Sequence, residues 1–141
     1  MHKYGKKQGG FTLIEVMVVV AILGILATIV MTNVVGKDEQ ARITAAKTGL
    51  AQISNALEMY KLDNHKYPST DEGLEALVTK SASAKTFPQG GYIKGGMPKD
   101  PWGNPFQYIA PGSSGRSYDV YSWGADGAEG GEENNADIYQ E

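Results

Sequence analysis

Three groups of side chains in this sequence are of types that do chemistry. Glu15 is a lone carboxylate at the head of an apolar stretch, because residues 16–35 form a run of 20 without a charge. The second group is acidic. Asp119, Asp126, Glu129, Glu132, Glu133, Asp137 and Glu141 follow Arg116 with no Lys or Arg among them. The third is a pair of isolated histidines, His2 and His65. A histidine beside only Asn64 and Lys66 lacks the partner that would make it a general base. With no cysteine in the chain, thiol catalysis, zinc–thiolate sites and a lipidated cysteine are excluded. No serine sits in a nucleophile-elbow context, and Gly124-Ala125-Asp126-Gly127 is no phosphate cradle, so the sequence shows no enzyme.

Both acidic features have two physical readings. A carboxylate within a lipid-like helix costs about 2.5–3.5 kcal/mol at the centre and less near the interface, so Glu15 either snorkels to the surface or meets a partner. The acidic C-terminal stretch reads by composition as a solvated charge run. It also carries hard oxygen donors in Asp126, Glu133, Asn134, Asn135 and Asp137, with Gly127, Gly130 and Gly131 to allow tight turns. The ligand spacing is not that of an EF-hand.

The elements that must position these groups divide the 141 residues into two parts. Twenty helical residues at about 1.5 Å each span roughly 30 Å, the thickness of a bilayer's hydrocarbon core. Lys3, Lys6 and Lys7 precede this run, which predicts a cytoplasmic N-terminus and an external C-terminal domain. No small-residue cleavage site of the secretory type follows it. Beyond it, Ile43, Ala46, Leu50, Ile53, Leu57 and Tyr60 fall at helical spacing, with Lys47, Gln52, Asn55, Glu58 and Lys61 off the stripe. The stripe predicts a helix packed on a sheet, and Asn64 with Pro68 predicts its end. Ser69 and Glu72 stand at capping-box spacing and predict a short helix through Leu74, Leu77 and Val78. Residues 106–109 and 118–123 read as two short strands, giving an α+β arrangement of a long N-terminal helix on a small antiparallel sheet.

The segment Lys6-Lys7-Gln8-Gly9-Gly10-Phe11-Thr12-Leu13-Ile14-Glu15-Val16 closely resembles the N-terminus of type IV pilins and pseudopilins. Four further segments extend the likeness across the chain: Met59-Tyr60-Lys61-Leu62-Asp63-Asn64, Tyr67-Pro68-Ser69-Thr70-Asp71-Glu72-Gly73, Asp100-Pro101-Trp102-Gly103-Asn104-Pro105 and Ser122-Trp123-Gly124-Ala125-Asp126-Gly127. These resemble the major pseudopilins of bacterial type II secretion. The resemblance implies a pilin-like fold and a leader (residues 1–10) cut by a prepilin peptidase between Gly10 and Phe11. It further implies N-methylation of Phe11 and a transmembrane assembly helix over residues 11–36, with Glu15 neutralising the freed amine of a neighbouring copy. Residues 37–141 would form a periplasmic globular domain, with a Ca²⁺ ion in the acidic loop 124–138. Its expected ligands are Asp126 and Asp137, then Glu133, Asn134 and Asn135, with backbone carbonyls near Trp123 and Ala128.

The implied partners are further copies of the chain in a helical homopolymer, other pseudopilins, an inner-membrane assembly platform, the prepilin peptidase and membrane lipid. Nucleic acid is not among them, because losing the three leader lysines leaves ten basic residues against 16 acidic, a net of −6. The expected function is that of a structural subunit of the type II secretion pseudopilus, supporting export of folded proteins across the outer membrane. The competing readings are a type IV pilin and a monomeric membrane-anchored calcium-binding module. Two departures from the family pattern stand out: Thr32 in place of a proline, and Tyr139-Gln140-Glu141 in place of Gly-Asn-Trp.

Overall fold

A computed structural model describes Gly5 and residues 9–140, without the side chains of residues 31–35. The leader residues His2, Lys3, Lys6 and Lys7, the side chain of Thr32, and Glu141 lie outside the described residues. The chain divides into two compact units, Met1–Asp38 and Glu39–Glu141.

Helix α1 runs Leu13–Asn64. In the first unit its residues 13–30 form a candidate membrane span with none of the window buried. In the second unit the same helix carries the core stripe. Ala46, Leu50, Ile53, Leu57 and Tyr60 are all buried and Ile43 packs against them, as their spacing predicts. The off-stripe residues Lys47, Gln52, Asn55, Glu58 and Lys61 are exposed or half-buried. Gly49 lies on this face too, where an added Cβ would come 2.8 Å from Phe106 Cζ, so the ring is seated directly on the helix backbone. The helix ends where His65 takes φ 61° and donates its N–H to Lys61 O at 2.7 Å, the hydrogen bond of a left-handed C-terminal cap.

The chain then returns along α1 in irregular structure pinned by two buried polar residues. Asn64 donates from Nδ2 to Tyr60 O, Thr86 O and Tyr92 Oη, and accepts from Thr86 N at 2.9 Å. Both ends of this buried amide are thus engaged, which is what makes its burial tolerable. Asp100 accepts from Trp102 N and Asn104 N on Oδ1, and from Ser122 Oγ at 2.7 Å on Oδ2.

The capping box forms as expected: Ser69 N donates to Glu72 Oε2 at 2.9 Å and Glu72 N to Ser69 Oγ at 3.2 Å. The helix expected after it is shorter and tighter. Gly73 at φ 59° takes the backbone out of the helical region, and only a 3₁₀ turn, Leu74–Leu77, follows. Strands β1 (Gln107–Ile109) and β2 (Asp119–Ser122) pair antiparallel, within the two segments the sequence predicts. A third strand, β3 (Ile138–Tyr139), adds to β2 and gives the order β1-β2-β3. Sequence reasoning placed that segment at the end of the acidic loop. Val120 and Ile138 face the helix stripe and complete the core with Phe106.

Candidate functional site

Two places collect the chemistry singled out in the sequence. The first is the start of α1. Thr12 N donates to Glu15 Oε2 at 2.9 Å, and Glu15 N donates to Thr12 Oγ1 at 3.3 Å. This reciprocal pair is a capping box, which satisfies two of the amide groups a helix leaves unpaired at its beginning. Within one chain Glu15 is therefore not a bare carboxylate, and a negative charge in the first turn also suits the helix dipole. The role of Thr12 was missed, although Thr-x-x-Glu spacing is the same signal that located Ser69 and Glu72. Phe11 is 89% exposed, and a Cβ added at Gly9 or Gly10 would meet nothing within 4 Å, so the segment around the expected cleavage bond is open.

The second place is the acidic loop, which is folded back on itself. Its neck is closed where Gly124, at φ 71°, approaches residue 136. A Cβ at Gly124 would lie 2.7 Å from Ala136 O. Gly124 N also donates to Ser122 Oγ, so the Asp100–Ser122 pair anchors the entrance to the loop. Gly131 packs against the backbone of Asn135, and Gly127 lies against the Asn104 side chain. Sequence reasoning did not assign Asp100, Ser122 and Asn104 to this loop. The dense turn run 98–105 was the visible signal, but nothing local showed where it would dock.

The expected ligands are distributed along this fold. Asp126 Oδ1 accepts Ala128 N at 3.1 Å, and Asp137 Oδ2 accepts Gly130 N at 3.0 Å. Asp137 Oδ1 is buried with no hydrogen-bond partner. Glu133, Asn134 and Asn135 form a 3₁₀ turn in which none is buried, with Glu133 at φ 53°. Among the described residues no group of three or more His, Asp or Glu side chains is gathered as a metal site. Asp126, Glu133 and Asp137 therefore do not form a three-carboxylate set. An orphaned buried carboxylate oxygen beside turn carbonyls and amides still fits a hard cation, which takes about 6–8 oxygens of mixed origin.

Next to the loop, Asp119 shows how a buried carboxylate is kept charged. Burial pushes its pKa up, but Ser113 N and Ser113 Oγ, each at 2.7 Å, and the Arg116 guanidinium outweigh it and hold it below the usual range. Arg116 Nε stands 2.9 Å from Oδ1 as an ion pair without the alignment of a hydrogen bond.

Comparison with known proteins bears on the whole chain. A family model described as type II secretion system (T2SS), protein G, matches residues 33–141. The chain belongs to the type II secretion system protein G family. A second model, the prokaryotic N-terminal methylation motif, matches residues 5–31. Similar proteins include the type II secretion system core protein G of Pseudomonas aeruginosa, 55% identical over 136 residues and covering 94% of each chain. That of Vibrio cholerae is 56% identical over 135 residues, covering 94% of this chain and 91% of the other. The crystal structure of the major pseudopilin from the type 2 secretion system of enterohaemorrhagic Escherichia coli matches with a TM-score of 0.65 at 35% identity. It covers 76% of this chain and 92% of that one. The expected fold and family are thus both borne out. Membership of the protein G family, whose role is that of a structural pseudopilin, also decides between the expected function and the type IV pilin reading.

Proposed function

We propose that this protein G family member is made with a short leader, inserted in the inner membrane, cut between Gly10 and Phe11, methylated on the new amine and polymerised into a periplasmic pseudopilus. The observation that carries this reading is the fully exposed apolar span Leu13–Val30 headed by a carboxylate in its first turn. An apolar helix face of this extent needs lipid or other helices around it, since water offers it neither. Cleavage would create a cation at Phe11. In lipid, a carboxylate from the neighbouring subunit is the natural counter-charge, so Glu15 would exchange its contact with Thr12 N for the amine of another copy. Subunit registration along the fibre would follow from that pairing.

The role is structural rather than catalytic, and its partners are copies of itself, other pseudopilins, the prepilin peptidase and the inner-membrane platform. The lysines before the span favour a cytoplasmic N-terminus and a periplasmic C-terminal domain. Calcium is part of the reading. Asp126 and Asp137, with Glu133, Asn134, Asn135 and carbonyls near Trp123 and Ala128, are the oxygen donors available to it, and the orphaned Asp137 Oδ1 supports the assignment. Bound there, the ion supplies positive charge to a loop otherwise rich in carboxylates. The chain's own part is to bring residues 124 and 136 together and to keep the Asp137 carboxylate aimed inward.

The decisive experiment is the intact mass of protein extracted from membranes of cells with active prepilin peptidase. The expected mass is that of a chain beginning at N-methyl-Phe11. A mass that still includes residues 1–10 overturns the reading.

A further inference from the structure

Beyond the membrane span, four large hydrophobic side chains stand exposed among the described residues: Met59 at 56%, Leu62 at 76%, Ile109 at 43% and Tyr139 at 44%. They form two patches. Met59 and Leu62 are one turn apart on α1 and lie off the buried stripe of Ile53, Leu57 and Tyr60, so they share the helix's outward side. Ile109 and Tyr139 share the other face of the sheet from Val120 and Ile138. Ile109 pairs with Asp119, Tyr139 pairs with Tyr121, and Asp119 and Tyr121 are two residues apart on β2. The Tyr121 and Tyr139 rings stack with centroids 4.9 Å apart, which makes the second patch a preformed aromatic platform.

The surroundings of the two patches differ in charge. Leu62 lies in a shallow depression with Glu58, Lys61 and His65, and Glu58 is already engaged by the Tyr67 hydroxyl at 2.7 Å. Lys66 follows immediately. The sheet patch adjoins the acidic loop. Burial raises the pKa of both Tyr121 and Tyr139, and Asp137 and Glu129 act on each of them in the same direction. Arg116 is taken by Asp119, and Lys47 flanks Tyr139 at the helix edge.

A fibre needs a surface that does not match itself. An isologous patch closes into a dimer, whereas two different complementary patches propagate into an open helical filament. We propose that the Met59–Leu62 face of one subunit seats on the Ile109–Tyr139 face of another, forming a head-to-tail contact outside the membrane. This rests on the polymer reading above. The contact joins a basic-rimmed aliphatic surface to an acid-rimmed aromatic one, and it lets the globular domains contribute to register alongside the membrane helices.

The native chain has no cysteine, which allows a direct test in the full-length protein in its membrane. Leu62→Cys combined with Tyr139→Cys should give a disulfide-linked ladder of many copies under mild oxidant, while each single variant should give none. A dimer from Leu62→Cys alone indicates an isologous contact and overturns the proposal. So does a double variant that yields no disulfide ladder while formaldehyde still traps its polymer. As a second measurement, Leu62→Glu should reduce formaldehyde ladders about tenfold, the scale expected when burial of one leucine is lost, and Leu62→Met should not. Wild-type ladders from Leu62→Glu also overturn the contact. If the wild-type chain gives no ladder at all, the polymer reading itself fails.

Discussion

One helix, α1, contains two stretches of similar secondary structure and very different physical fate. In residues 13–30 apolar side chains surround the helix, and all of them are exposed in the isolated chain. In residues 43–60 apolar side chains occupy a single stripe, and that stripe is buried under the chain's own sheet. Hydrophobic burial acts on both, but the first stretch has no complement within the molecule and the second has one. A side chain in the second stretch therefore stabilises the fold of a single subunit, whereas one in the first acts only when lipid or another subunit is present.

The largest test of this contrast is a matched pair of truncations. Leu57→Ala should destabilise the globular domain by about 2–5 kcal/mol, because Leu57 is fully buried and its removal leaves a cavity. Leu23→Ala should leave chemical denaturation of that domain unchanged, and equal losses would show that the two stretches fold as one cooperative unit. Gly124→Ala should come next, at about 2 kcal/mol or more. The residue needs φ 71°, and a Cβ there would meet Ala136 O at 2.7 Å. Thermal unfolding of a fragment beginning at Lys37 would measure it, and a wild-type midpoint would mean that the neck of the acidic loop opens without cost.

Calcium should act on the globular half alone. The same fragment should gain about 2.7 kcal/mol at a hundredfold excess of the ion over its Kd. Asp126→Ala and Asp137→Ala should each remove the gain, and Glu129→Ala should keep it. An unchanged melting temperature on addition of chelator would return the loop to a plain charge run. Assembly is the complementary property of the membrane half. Glu15→Ala should insert and be processed but form few crosslinked ladders, and wild-type ladders would show that the carboxylate serves only as a cap for its own helix.

The smallest effect concerns acid stability. Hydrogen bonds from Ser83 Oγ, Ser69 N and Ser81 hold the Glu72 pKa at about 2 against an ordinary 4.5. A depressed carboxylate contributes stability that is present above the unfolded value and is lost as pH falls through the folded one. Glu72→Gln should therefore flatten the stability of the fragment between about pH 4.5 and 2. An acid limb identical to that of the wild type would assign the loss to other carboxylates. The effect stays modest because the group is near solvent, where such interactions are screened.

Legibility followed the range of the interactions. The helix, its stripe and the capping boxes depend on residues three or four apart, and spacing alone carries that signal. The helix expected after Ser69 failed at one backbone angle, since Gly73 at φ 59° ends what the capping box starts. Strand β3 was hidden because two residues next to a glycine-rich acidic loop carry no alternation to read. Ile138 becomes a strand only because Ser122 is available to pair with it.

By itself the sequence determined the membrane span, the segment carrying the cleavage and methylation motif, the position of Glu15 at the head of the helix and the face of α1 that would be buried. Each is a property of composition or local periodicity, and needs no distant partner to be expressed. The tertiary structure alone decided that Asp100 would reach Ser122, that Asn64 would pin residue 86, that Gly124 would meet Ala136, and that Asp137 Oδ1 would be left buried without a partner. The paired groups stand 12 to 22 residues apart in the chain, and their meeting is set by which backbone turns close. That closure depends on the whole core, with the Phe106 ring on Gly49 and the β2 register holding it, and not on any short run of residues.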